Sequence, residues 1–259
     1  MSHHPVLVVG GGTAGLTVAS QLLNKPNAPE VAIIEPSEVH YYQPIWTLVG
    51  GGVFGREVSK RMEADYIPAG ATWIKDKVAS FDPDNNQVKL AGGDTVSYDY
   101  LIVAAGIQID WNLVPGLAES VGKPGTGVVS NYSYETVEST WTAIQAMKKG
   151  NAIFTHPSTP IKCGGAPLKI ILIADYWGKN GVLNNINVIY AKAGMGIFSV
   201  KKYADSLNGA DRYGIDRQWN ISEEIKPDSK ELFLEKNMQT GELRLCPMAY
   251  FVTPPMRFA

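Results

Sequence analysis

Two short stretches of this chain place residue types in an order that does chemistry. The first is Gly10-Gly11-Gly12-Thr13-Ala14-Gly15, a G-x-G-x-x-G turn, with the acidic Glu35 roughly 20 residues further on. In that spacing Gly10 permits a tight turn, Gly12 lets a pyrophosphate approach the backbone, and Gly15 lets a helix lie close against a strand. The helix start presents the N–H groups of Thr13 and Ala14 to phosphates, and Glu35 accepts hydrogen bonds from a ribose diol. The competing reading is a glycine-rich turn with no ligand. The second stretch is Lys162-Cys163-Gly164-Gly165-Ala166-Pro167. An ammonium beside the thiol and a helix start just beyond it both favour a thiolate, and the glycines leave the sulfur approachable. The competing reading is a buried, inert cysteine.

These groups need particular elements to hold them. Val6-Leu7-Val8-Val9 is a continuous apolar run and reads as a buried parallel strand. Leu16, Ala19 and Leu23 recur at helical spacing and predict a helix over about 13–23. A second buried strand over 31–34 ends at Glu35. Trp73, Ile74 and Val78 read as a third strand. Residues 88–90 and 96–98 flank Gly92-Gly93 as a hairpin. Residues 100–105 read as another buried strand, closed by Gly106. A helix is expected over 133–149, with Ser133 as its N-cap, Lys148 and Lys149 in its last turn, and Gly150 as its stop.

A second strand–loop–helix series follows. Residues 152–154 read as a strand, 156–165 as the loop carrying Cys163, and 168–177 as a helix with Pro167 at its first position. A strand over 186–190, a helix over 199–207, a hairpin of 231–234 with 243–245 around Thr240-Gly241, and a strand over 250–252 complete the series. The organisation is two successive α/β units with a boundary near Gly150.

Composition agrees with that class. The chain has 259 residues, 45% hydrophobic and 19% charged, enough apolar residues for a sizeable core and too many for bulk disorder. Its 26 glycines suit tight backbone approaches better than a helical bundle. A formal net charge of −2 gives no electrostatic footprint for nucleic acid, so none is expected as a partner. No apolar run is long enough to span a bilayer. Two cysteines are too few for a disulfide scaffold. Cys246 reads as a core residue, and His3 and His4 as a solvated terminus. His40 and His156 lack ligand spacing with any cysteine or carboxylate, so no metal is proposed.

The glycine turn by itself fits either FAD or NAD. Its place at the start of the chain and the glycine-closed strand ending at Gly106 favour FAD. The second unit has no matching turn: residues 155–158 are Thr-His-Pro-Ser, and Gly194-Met195-Gly196 lacks its third glycine, with Ser199 in that place. A nicotinamide site there is not expected.

Several longer stretches resemble the eukaryotic-type sulfide:quinone oxidoreductases: VLVVGGGTAG (6–15), AIIEPSEVHYYQPIWTLVGGG (32–52), YDYLIVAAGIQ (98–108), SNYSYETVESTW (130–141), GNAIFTHPSTPIKCGGAP (150–167), FSVKKYADSL (198–207) and VTPPM (252–256). The resemblance implies an α/β, two-dinucleotide-binding fold of the disulfide-reductase type, incomplete at its C-terminus. It implies an FAD-binding segment over 1–110, a connecting segment over 111–150, a second α/β domain with Cys163 over 151–247, and a return strand over 248–259. The implied reaction is oxidation of sulfide by FAD, with electrons passed to ubiquinone at the mitochondrial inner-membrane surface and the sulfane sulfur handed to an acceptor. Cys163 is implied as one of two redox cysteines. Gly10, Gly12, Thr13, Ala14, Gly15, Glu35, Gln43, Val78 and Gly106 are the cofactor-binding candidates, Gln43 through its amide and Val78 through its backbone.

Such a chain would continue past VTPPM to its second cysteine, its quinone pocket and a membrane-binding segment. Ending at Arg257-Phe258-Ala259, this sequence is expected to be a truncated form without them, and its start just before the first strand leaves no presequence. With Cys163 alone, weak FAD binding and poor or no turnover are expected. The alternatives are an NADH:quinone oxidoreductase of the same fold and a non-catalytic FAD-binding remnant.

Overall fold

The computed structural model describes residues 1–179, 181, 185–193, 196–208, 216–219, 222–226, 231–235 and 244–258. They form two compact units: Met1–Tyr41, Lys60–Ile107 and Phe258–Ala259 in the first, Tyr42–Ser59 and Gln108–Arg257 in the second.

The first unit contains β1 (Ser2–Val9), α1 (Thr13–Leu23), β2 (Val31–Ile34), β3 (Val39–Tyr41), β4 (Lys60–Met62), β5 (Ala71–Ile74), β6 (Val78–Asp82), β7 (Gln87–Leu90) and β8 (Thr95–Val103). Its main sheet runs β5-β2-β1-β8-β7-β6. The first four of these strands are parallel, and β7 and β6 extend the sheet antiparallel. Successive side chains on a strand point to opposite faces. Val6 and Val8 therefore join Val31 and Ile33 under Leu16 and Ala19 of α1. Leu7 and Val9 join Ala32, Ile34, Val88 and Val96 on the other face. Burial on both faces is why β1 and β2 read as unbroken apolar runs.

The first two strands, α1 and the hairpin around Gly92-Gly93 stand where the sequence puts them. The third strand is not one strand. β5 ends at Ile74, where the Asp76 carboxylate accepts the N–H groups of Lys77 and Gly92 and turns the chain. Val78 then opens β6, antiparallel to β7. The two segments expected over 96–98 and 100–105 are a single strand, β8. Past Tyr98, whose N–H donates to the Asn86 carbonyl at 3.0 Å, it keeps only β1 as a strand partner among the described residues, and Tyr100, 72% exposed, and Val103 are not buried.

The second unit contains α2 (Trp46–Gly50), β9 (Ile107–Ile109), α3 (Leu117–Ser120), β10 (Val128–Val129), α4 (Val137–Ala146), β11 (Gly150–His156), α5 (Ala166–Lys179), β12 (Ile186–Lys192), α6 (Lys201–Asn208), β13 (Asp216–Trp219), β14 (Ser222–Lys226), β15 (Glu231–Glu235), β16 (Arg244–Phe251) and β17 (Met256–Phe258). Its sheet runs β13-β12-β11-β16-β15-β14, with β10 also paired to β16. β11, α5 and β12 make a parallel strand–helix–strand unit. Phe154 and Phe251 stack with ring centroids 4.3 Å apart in a core that includes Ile144, Leu168, Ile171 and Tyr190. The glycine triplet Gly50-Gly51-Gly52 serves packing. Side chains there would crowd Thr140, Ile173 and the Trp141 ring, so the glycines let α2 close on α4 and α5.

Three expectations change here. The helix expected over 133–149 starts only at Val137, after a turn in which Ser133 Oγ accepts the Thr136 N–H. It ends at Ala146 because Met147 is extended, and Gly150, at φ +105°, opens β11 instead of stopping a helix. The segments 243–245 and 250–252 belong largely to one strand, β16, on which Cys246 lies opposite Leu232. The Thr240-Gly241 turn, Gly194-Met195 and the packing of the Cys246 side chain lie outside the described residues.

At the end of β11, His156 Nδ1 lies 2.9 Å from the Tyr190 hydroxyl. Burial first, and Lys192 second, push its pKa down to about 4. The unfolded chain therefore takes up a proton near pH 6.5 that the native state refuses. His156 is expected to make stability fall between about pH 6.5 and 4, and to add nothing to the slope above or below. Urea midpoints across that window should fall less steeply in His156→Gln; equal slopes would contradict this.

Candidate functional site

In the first unit, β1 runs directly into the glycine turn and α1 leaves it. Gly10 has φ +104°, and a Cβ there would overlap the Ala104 carbonyl beyond the end of β8. A Cβ on Gly15 would overlap the Gly10 carbonyl oxygen. Both glycines thus permit close backbone approach, one of strand to strand and one of helix to strand. Gly12 differs, since a Cβ there would meet nothing within 4 Å. It faces open space at the head of α1, where the intrahelical bonds start only with Leu16 N–H to the Gly12 carbonyl at 3.0 Å. The N–H groups of Thr13 and Ala14 precede that bond and point out of the helix end. This open cradle over a helix N-terminus fits a dinucleotide pyrophosphate.

Glu35 is already oriented. Its Oε2 accepts the Gly11 N–H at 2.8 Å and its Oε1 the Ser37 N–H at 2.7 Å, while its own carbonyl accepts the Trp73 indole N–H at 2.9 Å. One lone pair on each carboxylate oxygen remains for a diol. Gly106, at φ +78°, follows the end of β8, and Val78 packs against the cluster of Leu7, Val9 and Ile34.

Two residues that sequence reasoning missed lie beside this turn. Glu63 is buried, 2% exposed, on the 3-10 turn after β4, and its Oε2 lies 3.1 Å from His40 Nδ1 on β3. Its Oε1 has no hydrogen-bond partner. No local spacing links residues 40 and 63; only the β3–β4 pairing joins them.

In the second unit, Gln43 and Cys163 come together. With Trp46, Tyr132, Lys162 and Lys169 they line a cavity of about 70 Å³. Cys163 is exposed and sits just ahead of α5, with its carbonyl accepting the Ala166 N–H at 2.8 Å. Its φ of +58° costs an L residue about 1–2 kcal/mol. Strain of this kind persists where neighbours hold it in place. Here the Lys162 N–H donates to Met256 Sδ at 3.3 Å, the Met256 N–H to Thr159 Oγ1 at 3.1 Å, and the Thr253 N–H to Thr155 Oγ1 at 3.3 Å. The VTPPM stretch therefore clamps the cysteine loop. Burial pushes the Lys162 ammonium down, and the Cys163 sulfur beside it acts the other way. Burial pushes the Tyr132 hydroxyl up, so that it stays neutral. A larger hollow of about 650 Å³, between the 122–127 turn and α4, holds none of the candidate residues.

The sequence model for pyridine nucleotide-disulphide oxidoreductases matches residues 4–140, more than half of the chain. The chain belongs to the pyridine nucleotide-disulphide oxidoreductase family. Similar relatives are the mitochondrial sulfide:quinone oxidoreductases of Mus musculus, 44% identical over 260 residues, and Dictyostelium discoideum, 48% identical over 236 residues. These alignments cover 98% and 89% of this chain, but 57% and 52% of those proteins. The chain thus spans about half the length of the curated relatives it matches. The X-ray structure of the sulfide:quinone oxidoreductase from Aquifex aeolicus matches with a TM-score of 0.80 at 21% identity, over 99% of this chain and 59% of that one. That likeness shows a shared fold, the α/β pyridine nucleotide-disulphide oxidoreductase fold expected from the sequence.

The two glycines should separate on substitution. Gly15→Ala forces α1 away from β1 and is expected to cost about 1–3 kcal/mol of stability. Gly12→Ala adds a methyl to open space and should leave stability within about 0.5 kcal/mol. If the cradle holds a dinucleotide, the same methyl would stand in the path of its pyrophosphate, and FAD binding should weaken about tenfold or more. Thermal melts with flavin titrations measure both; unchanged FAD affinity in Gly12→Ala would contradict the assignment.

Proposed function

We propose that the chain holds FAD on the glycine turn and Glu35, and that Cys163 is the sulfur-handling residue of a sulfide:quinone oxidation. The observation that carries this reading is the built setting of Cys163. An exposed thiol is held at a strained backbone angle beside two lysines, in a hollow sized for a species of a few heavy atoms. An inert core cysteine needs none of those features. The names of the similar mitochondrial relatives supply the substrate class.

In this reading Gly10, Gly12, Thr13, Ala14 and Gly15 bind the pyrophosphate, Glu35 the ribose, and Gln43, Val78 and Gly106 the rest of the cofactor. FAD, when bound, supplies a two-electron acceptor. Lys162 and Lys169 draw anionic hydrosulfide to the hollow, and Tyr132 stays protonated beside it. Cys163 Sγ would bond the incoming sulfur as a persulfide and give up its own proton, a two-electron oxidation for which bound FAD would supply the acceptor and ubiquinone the final one. A sulfane-sulfur acceptor then clears the persulfide. The mitochondrion, at the inner-membrane surface, is the place that fits these partners.

The test is direct. Sulfide added without oxygen to the FAD-loaded chain should bleach the flavin band and leave one extra sulfur on the peptide carrying Cys163. Cys163→Ser should show neither. Bleaching by NADH with no response to sulfide would contradict the proposal and favour an NADH:quinone oxidoreductase.

A further inference from the structure

The Glu63–His40 pair has no part in the proposed chemistry, yet it lies against the glycine turn. Pairing of β3 with β4 sets His40 opposite Arg61, and the chain then turns so that the Glu63 N–H donates to the Glu38 carbonyl at 2.9 Å. This drives the Glu63 side chain inward, where it is 2% exposed. Oε2 reaches His40 Nδ1, and Oε1 ends beneath Gly11, 2.7 Å from where a Cβ on that residue would lie. The Glu35 side chain crowds the same spot, with its Cγ at 2.6 Å from that position. Gly11 is thus gripped between two carboxyl side chains, one that binds its N–H and one that braces it.

A buried carboxylate oxygen without a donor costs about 1–3 kcal/mol, more when charged. Glu63 Oε1 is such an atom. The groups facing the pair are few. Glu35 approaches from the end of β2, and the Tyr66 ring stacks on His40 at 5.3 Å. Arg61, opposite His40, donates to the Lys60 carbonyl, and Glu38 turns outward to Lys75. The first turn of α1 carries no acidic side chain. Burial pushes the Glu63 carboxyl up, His40 pulls it back, and Glu35 pushes it up again.

We propose that Glu63 and His40 are a positioning pair of the dinucleotide site, bracing Gly11 and taking up a proton when the pyrophosphate docks above it. This rests on the dinucleotide reading. With one shared proton the pair is neutral; without it the pair adds a negative charge next to Glu35. Two phosphate charges arriving at the head of α1 favour the protonated form. By linkage, binding takes up protons, and affinity falls as pH rises through the titration of the pair. A merely structural pair would change stability without changing the proton count.

The experiment is calorimetric titration of the 259-residue chain with FAD at a series of pH values, in buffers of different ionisation enthalpy. The parent is expected to take up about half a proton and to lose about threefold in affinity per pH unit. Glu63→Gln keeps the shape, and His40→Asn keeps a donor where Nδ1 stood; both should abolish the uptake and flatten the pH profile. FAD binding with no uptake in the parent, or with uptake unchanged in both variants, would overturn the proposal alone. No FAD binding by the parent at any pH would overturn the dinucleotide reading along with it. If Glu63→Gln does not fold, His40→Asn carries the same decision.

Discussion

The contact of Gly15 with the Gly10 carbonyl is the constraint on which the first unit depends. It brings the head of α1 to the end of β1 with no side chain between them. Gly10 repeats the device on its other side, against the Ala104 carbonyl past β8. Together these approaches fix where the free N–H groups of the helix point and leave Gly12 facing open space. The hydrophobic layers above and below the sheet, Val8 with Leu16 and Leu7 with Val9, hold strand and helix in that register. The anion-binding character proposed for the helix end would then be a consequence of packing.

The second unit holds its candidate residue by another route. Its cysteine loop takes an unfavourable backbone angle, and the residues that hold it there lie far away in sequence. Thr253 and Met256 bind Thr155 and Thr159 by backbone N–H donation, and Ser130 Oγ donates to the Val252 carbonyl at 2.7 Å. The strain at Cys163 is offset by this clamp. The second unit thus resembles the first in its strand–helix–strand frame and differs in what it presents at the head of the helix: a thiol and a lysine instead of a glycine cradle.

What was legible in the sequence was local. The glycine turn, its flanking strand and helix, and the acid ending the next strand all lie within residues 6–35, and each part constrains its neighbour. The cysteine loop could be read from Lys162 to Pro167 for the same reason. The misreadings came where partners are distant or a side chain intervenes. Asp76 breaks what looked like one strand, and Met147 ends a helix before its lysines. Glu63 and His40 sit on separate short strands and turns, so no periodicity announces them. The Gly50-Gly51-Gly52 triplet carries no local signal of its role, because the side chains it makes room for, Thr140, Trp141 and Ile173, lie far along the chain.

The account stands or falls on whether a diphosphate rests on the head of α1. Amide nitrogen–proton correlation spectra of the labelled chain, recorded while ADP is added as a minimal diphosphate probe, test this most directly. The account predicts that the largest shifts fall on the amides of Gly11, Gly12, Thr13 and Ala14, with Ser37 beside Glu35 following. Shifts confined to other residues, or none at saturating ADP, would contradict it.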